Sequence, residues 1–296
     1  MSAPAPRVSI GMPAYNSAAW IGAAIESILA QTFRDFELII SDNASTDATV
    51  EVCNRYARAD SRIRVLREPV NFGANRNYLK VFRAARGGYF KWASSNDICA
   101  PTFVERCVAR LDADSSVVLA SPRSVLFERE PADGQPYGHD LELLDSDASV
   151  RFIQLFSTLE LNNVLNGVIR RDALLQAASL GRYTGADVVL MGELALLGKF
   201  VLVDERLFFR RMSRDAATRL MSKREAESRI VPTARAPLKW QEWCFRFGVL
   251  RASRLAAFPS RTWLRTVGYG LRTFVWSRGA LAREILEALC RGRSYT

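Results

Sequence analysis

The chain has 296 residues, 49% hydrophobic and 24% charged, enough for one large or two modest domains whose cores need no disulfides. Its net charge of +10 comes from the carboxyl-terminal part: residues 1–213 hold 24 Lys and Arg against 25 Asp and Glu, residues 214–296 hold 17 against 6. Five cysteines without CxxC spacing argue against a disulfide framework or zinc ribbon, and the single histidine, His139, excludes clustered histidine ligation of a metal. A Ser-His-Asp or Cys-His hydrolase would have to use His139, which stands in the turn-rich PYGHD and reads as a surface-loop residue. MSAPAPR lacks a charged region followed by an apolar stretch, so no signal peptide is expected. The longest apolar stretch, Val188 to Val203, is interrupted by Glu193 and Lys199, so no membrane span is expected and a reducing cytoplasm fits best.

Val8 to Met12, closed by Pro13, reads as a buried strand of a parallel sheet. From Ser17 to Thr32 the apolar residues Trp20, Ile21, Ala24, Ile25, Ile28 and Leu29 recur at helical spacing, with Asn16 or Ser17 as the cap. Phe36 to Ser41 is a second apolar run, and a strand following such a helix pairs parallel through a right-handed crossover. A helix over residues 48–59, a strand over Ile63 to Leu66 and a helix over residues 74–86 follow. Gly87 and Gly88 stop that helix before the strand Tyr89 to Ala93. Further on come a helix from Pro101 to Leu111 and a strand from Val117 to Ala120. The acidic stretch 128–149 reads as a long, mobile loop, and Val164 to Ile169 as a strand. A broadly apolar helix lies within Tyr183 to Phe200, and closing strands run over Phe200 to Asp204 and Leu207 to Met212.

Two loops, Pro13 to Asn16 and Asp42 to Asp47, project beyond the carboxyl ends of the first strands, the edge where ligands sit in open parallel sheets. Their Asn, Asp and Ser residues fit ordinary turn chemistry equally well. Arg76 and Asn77 would sit on the first turn of a helix, where amides and a guanidinium can meet a nucleotide. Asp187 stands at the start of the apolar helix, where it would stabilise the dipole without any catalytic role.

VSIGMPAYN followed by FELIISDNASTD resembles the opening of the family 2 glycosyltransferases, and the likeness continues through NFGANRN and GYFKWASSNDICAP to about Arg211. The resemblance implies a GT-A fold, a three-layer α/β sandwich on a mostly parallel sheet. It further implies an inverting transfer of a sugar from a nucleoside-diphosphate-sugar, with UDP the expected nucleotide, to an acceptor hydroxyl. Pro13, Tyr15, Asn16 and Asp42 would hold base and ribose, and Asn71 and Arg76 belong to a segment like the family's Asn-x-Gly loop. The family's Asp-x-Asp motif holds a divalent cation on the diphosphate. Here SSND stands in its place, leaving Asp97, helped by Asn96, to bind Mg2+ or Mn2+. Asp187 matches the acidic residue that serves as general base. Arg210 and Arg211 match the basic position that engages the diphosphate, with Ser213 where many relatives carry a histidine. Two rivals remain: a catalytically degenerate nucleotide-sugar-binding scaffold, which SSND supports, and a nucleotidyltransferase, whose phosphate loop VSIGMPAYN lacks.

Residues 1–213 would form the catalytic domain and residues 214–296 a basic, amphipathic helical module broken at Pro232, Pro237 and Pro259. The module is open to three readings. It packs on the catalytic sheet or on a second subunit as a homodimer, it lies on a membrane surface through residues 235–293, or it binds nucleic acid, for which no RNP, HTH or finger motif speaks.

Overall fold

The computed structural model describes residues 4–177, 180–213, 240–257 and 259–292, with side chains described as far as residue 287. In chain order the elements are β1 (Val8–Ala14), α1 (Ile21–Leu29), β2 (Phe36–Asp42), α2 (Thr49–Ala59), β3 (Ile63–Arg67), α3 (Ala74–Arg83), β4 (Tyr89–Trp92) and β5 (Ile98–Cys99). Then follow α4 (Phe103–Ala113), β6 (Val117–Phe127), β7 (Gln135–Pro136), α5 (Ala148–Thr158), β8 (Val168–Arg170), α6 (Arg171–Gln176), α7 (Ala186–Leu197) and β9 (Lys199–Arg211). The carboxyl-terminal helices are α8 (Gln241–Arg251), α9 (Arg261–Trp276) and α10 (Arg278–Gly292).

The sheet order is β3-β2-β1-β4-β8-β6-β9-β5, with β7 added to β6. The first four strands are parallel, and every residue of β1 and β2 is buried, as strands covered on both faces must be. α1, α2 and α4 cover one face through Ile21, Ile25, Cys53, Phe103 and Leu111. α3, α5, α6 and α7 cover the other through Val81, Leu155, Leu174, Leu190 and Leu194. The expected three layers are therefore present.

The second half of the sheet is mixed. β8 runs antiparallel between β4 and β6, β9 is parallel to β6, and β5 is antiparallel on β9. The strand expected over Val164 to Ile169 is a 3-10 turn at Asn163–Asn166 followed by the short β8. β6 runs past its expected end at Ala120 and through Pro122 to Phe127, because register shifts at Pro122 and Arg123 absorb the missing amide donor. The two closing strands are one, β9. α1 begins at Ile21, and Ser17 serves instead as the turn whose carbonyl accepts from the Trp20 and Ile21 amides at 2.9 Å. In the acidic stretch Asp140 accepts from the amide and hydroxyl of Ser124, both at 2.6 Å, and Leu143 bridges Phe200. His139 is exposed there, 3.5 Å from Glu160.

Glu37 is a charged residue inside β2. It accepts from Ser9 Oγ at 2.6 Å and from the Arg86 amide at 3.0 Å, tying β1 and β2 to the turn before β4. Burial alone would raise its pKa. The bonds from Ser9 and Arg86 together outweigh burial and hold the carboxyl below its ordinary 4.5.

α8 and α9 pack on α5 and α7, sharing a core of Phe152, Val189, Leu196, Val249, Ala252 and Tyr269. The Arg265 guanidinium meets Asp147 at 2.6 Å, and the Thr184 amide donates to Gln241 Oε1 at 2.8 Å. Pro259 lies at a chain break between helices, as expected; Pro232 and Pro237 fall outside the described residues. Among the described residues no helix is long and apolar enough to cross a membrane.

Two outcomes follow for stability. Phe152→Ala removes the ring common to both helical layers and is expected to cost about 3–5 kcal/mol. Urea unfolding followed by far-ultraviolet dichroism and by tryptophan fluorescence reads it. Coincident transitions shifted together are predicted, and a shift confined to one probe would separate the carboxyl-terminal helices from the shared core. Because the folded pKa of Glu37 is depressed, its contribution is present above the unfolded value of 4.5 and is lost as pH falls through the folded one. Glu37→Gln should therefore be destabilised at neutral pH and show a shallower acid loss below pH 4.5 than the parent.

Candidate functional site

The carboxyl ends of β1, β2 and β4 meet at one edge of the sheet. Two loops leave it laced together: the Asn16 amide donates to Ser45 Oγ at 2.9 Å, the Thr46 amide to Asn16 Oδ1 at 2.9 Å, and the Ser17 amide to Thr49 Oγ1 at 2.8 Å. Asn16 thus shapes the loop, in the left-handed region at φ 47°. Pro13 is buried within β1, whereas the Tyr15 ring is exposed above the edge. Ala44 sits at φ 62°, a conformation costing an L-residue roughly 1–2 kcal/mol, immediately after the buried Asp42 and Asn43.

Asp42 is fully buried. Its Oδ2 accepts from the Ser45 amide at 3.2 Å, but its Oδ1 has no partner. Asn77, on the first turn of α3, donates to the carbonyls of Ala14 and Ser41, leaving Asn77 Oδ1 and Ser41 Oγ also unpartnered. Buried polar atoms nearly always find partners. Three left over beside one strand end mark a place built for a polar ligand. Alongside it, Asn71 Oδ1 accepts from Asn43 Nδ2 at 2.7 Å and from the Gly73 amide at 2.9 Å, so Asn71 clasps the loop that launches α3. Gly73 takes φ 92°, which favours glycine. The Arg76 guanidinium lies 3.8 Å over the Phe72 ring, at a cavity of 240 Å³ lined also by Asn43, Asn77 and Lys80.

The SSND turn follows β4. Asp97 Oδ1 accepts from the Arg211 amide at 2.8 Å, joining the turn to the end of β9. Burial raises the pKa of this carboxyl, opposed by that amide bond, by Arg210 and by Lys91. Arg211 is itself spent on structure. Its guanidinium donates to the carbonyls of Asn96, Glu128 and Arg129 and lies 4.2 Å from the Trp20 ring and 4.5 Å from the Phe127 ring. Arg210, on the opposite side of the strand, donates to Asn163 Oδ1 at 2.7 Å and is half-buried. Asn96 is half-buried, and its described hydrogen bond runs through its carbonyl.

Asp187 opens α7 after Gly185, which takes φ 82° and where a Cβ would lie 2.9 Å from the Phe245 ring. The half-buried Asp187 carboxylate accepts from Asn162 Nδ2 at 2.8 Å. Tyr78 links the two halves of the site. Its hydroxyl is pushed up to about 12, first by burial and then by the charges of Asp97 and Asp187, with Arg210 acting the other way. One phenol therefore feels the charges of both carboxylates and of the guanidinium. A cavity of 440 Å³ lies against the same helix as Asp187, where Val188 lines it with Leu159, Phe156, Phe245, Arg246 and Tyr269.

Sequence reasoning singled out Asp42, Asp97, Asp187 and Arg210 but missed Tyr78, Lys91, Asn162 and Asn163. Lys91 was visible as the lone charge in YFKWA, and the asparagine pair in LNNVLNG interrupts an apolar run. Tyr78 carried no such signal.

The donor set is thin for a hard divalent ion, which on a phosphate substrate takes one or two carboxylates together with waters and phosphate oxygens. One carboxylate is present, half of it engaged by the Arg211 amide, and Ser95 Oγ is 2.8 Å from Ser17 Oγ. Among the described residues no three His, Cys, Asp or Glu side chains converge to hold a metal ion.

Residues 9–150 match the family model for glycosyl transferase family 2. The chain is 28% identical over 131 residues to glycosyltransferase GlyG of Streptococcus pneumoniae, a match covering 44% of this chain and 42% of GlyG. It thus spans less than half the length of that curated relative. The fold is similar to that of S. aureus TarS 1-349 in complex with UDP-GlcNAc, with a TM-score of 0.64 at 15% identity over 90% of this chain and 72% of the other. It is also similar to mannosyltransferase PcManGT of Pyrobaculum calidifontis in complex with GDP-Man and Mn2+, with a TM-score of 0.57 at 15% identity over 97% and 76%. The chain has the GT-A fold, and its residues 9–150 are similar to the family 2 glycosyltransferases.

Proposed function

We propose that the protein is an inverting glycosyltransferase that moves a sugar from a nucleoside-diphosphate-sugar to an acceptor hydroxyl. Residues 1–213 would carry donor and chemistry, and residues 214–296 would complete the acceptor side. The observation that carries the reading is the bond from the Arg211 amide to Asp97 at 2.8 Å, which joins the SSND turn to the strand end bearing Arg210. The unpartnered atoms of Ser41, Asp42 and Asn77 would supply acceptors and a hydroxyl for a base and ribose, with the exposed Tyr15 ring on the loop that leaves β1. UDP and GDP both enter as candidates, since TarS and PcManGT are held with UDP-GlcNAc and GDP-Man.

Asp187 acts as general base. As the acceptor oxygen attacks the anomeric carbon, its proton passes to the Asp187 carboxylate, and the bond from that carbon to the diphosphate oxygen breaks with its electron pair leaving on phosphate. Asn162 Nδ2 holds one carboxylate oxygen and so aims the other. The acceptor would enter through the aromatic cavity beside Val188. Arg210, steadied by Asn163, faces the leaving diphosphate. A second reading, a silent nucleotide-sugar-binding scaffold, is favoured by the replacement of acids by Ser95 and Asn96.

A thermal-shift screen against UDP-, GDP- and dTDP-sugars identifies the donor, because a ligand that binds only the folded state raises its melting point. Asp187→Asn should lower turnover by about 10²–10⁴-fold while donor affinity stays within about twofold. Unchanged turnover removes Asp187 from the base role, and donor binding without turnover under any condition selects the scaffold. On α9 the exposed Leu264, Leu271 and Val275 lie one helical face apart from the core, flanked by the exposed Arg261 and Arg272. This stripe supports peripheral contact with an anionic membrane surface. Sedimentation with phosphatidylglycerol-containing vesicles, weakened in the Leu271→Ser variant and by salt, is the expected result; equal behaviour with and without vesicles withdraws that part.

A further inference from the structure

We infer that this site binds its donor diphosphate without a divalent cation, using the Arg210 guanidinium as the fixed charge on the leaving group. The inference rests on the donor site proposed above and concerns how that site handles phosphate charge.

The first observation is the set of ligand atoms. Asp97 is the one carboxylate of the SSND turn, and its Oδ1 is committed to the Arg211 amide at 2.8 Å. Ser94 Oγ lies 3.3 Å from Asn166 Oδ1, and Ser95 Oγ 2.8 Å from Ser17 Oγ, so both hydroxyls are engaged within the fold. Neutral hydroxyls and one amide bring no charge to offset the dehydration of a small dication, which is why such ions are held by carboxylates. Ser213 follows β9 with a hydroxyl in place of an imidazole.

The second observation is the cationic surroundings. Asp97 is faced by Arg210 and Lys91. Lys91 is fully buried, donating to the carbonyls of Asn166 and Trp92, with its ammonium 4.0 Å from the centre of the Phe103 ring. Two side-chain cations thus already act on the single carboxylate. A dication arriving with the diphosphate would meet repulsion from both, with one protein carboxylate to help hold it.

The third is the preparation of Arg210. One guanidinium nitrogen is held by Asn163 Oδ1 at 2.7 Å, and Asn163 is in turn held by Ser124 Oγ at 3.0 Å. Arg210 is absent from the described ion pairs, whereas Arg211 beside it is locked among carbonyls and rings. A planar guanidinium with further N–H donors suits bidentate contact with phosphate oxygens. When the bond from the anomeric carbon to the diphosphate oxygen breaks, the electron pair stays on that oxygen and the charge of Arg210 is already in position. The acceptor proton goes to Asp187.

The test uses the full chain, dialysed against EDTA, with UDP and GDP as titrants in isothermal calorimetry. For whichever nucleotide binds, the dissociation constant in EDTA is expected to stay within about twofold of that in Mn2+. Arg210→Met should weaken binding more than tenfold in both, with Arg210→Lys intermediate and the melting temperature of each variant confirming that it is folded. Asn96→Asp restores a carboxylate and should make binding respond to Mn2+ where the parent does not. Binding lost in EDTA and restored by Mn2+ overturns the inference while leaving the donor site intact, as does unaltered affinity in both folded Arg210 variants. Absence of binding to either nucleotide, with and without Mn2+, sinks the donor site itself.

Discussion

The candidate site depends on the bond from the Arg211 amide to Asp97. It crosses from the turn after β4 to the end of β9, two segments 114 residues apart in the chain. A hydrogen bond to a charged group is worth about 1.5–3 kcal/mol, and losing it would leave a buried carboxylate without a main partner. Arg211 secures the same junction from its side chain, pressed between Trp20 and Phe127 with its N–H groups on three carbonyls. Alternation along β9 then turns Arg210 toward Asn163 and the cleft. One arginine is spent so that its neighbour is aimed.

Much of the fold was legible because its signals are local. The apolar runs of β1 and β2 and the spacing of Ile21, Ile25 and Ile28 belong to single elements, and burial follows directly. What escaped depends on partners far away in sequence. The strand from Val117 reads as ending at Ala120, but beside β9 it continues through Pro122 to Phe127 with bulges that absorb the lost donor. Val164 to Ile169 reads as a strand, although the backbone over Asn163–Asn166 is a 3-10 turn. In the site, Asp42 and Asp187 stand at element ends and are marked by position. Tyr78 is an aromatic residue on an amphipathic helix, and nothing in its neighbours announces that its hydroxyl feels the charge of both carboxylates. Arg210 and Arg211 are adjacent in sequence, and only the sheet tells them apart.

On the proposed reading the two ends of the site have opposite tasks. Near Asp97, Arg210 and Lys91 act against the burial that raises its pKa, a setting that would favour an anionic diphosphate. A guanidinium about 4 Å from a phosphate is worth roughly 4 kcal/mol at an effective dielectric of 20. Near Asp187 the partner is a neutral amide, Asn162, which orients the carboxylate without neutralising it. α8 and α9 share a core with α5 and α7 through Phe245 and Tyr269, so they are packed on the catalytic half rather than detached from it.

The central claim is that Asp97, Arg210 and Asp187 face one bound donor. A crystal structure with a nucleoside-diphosphate-sugar tests it most directly. The account predicts the diphosphate against Arg210 above the SSND turn, the base beside Asp42 and Asn77, and the anomeric carbon turned toward the Asp187 carboxylate. A donor bound on another face, or one whose anomeric carbon points away from Asp187 with Arg210 untouched, would contradict it.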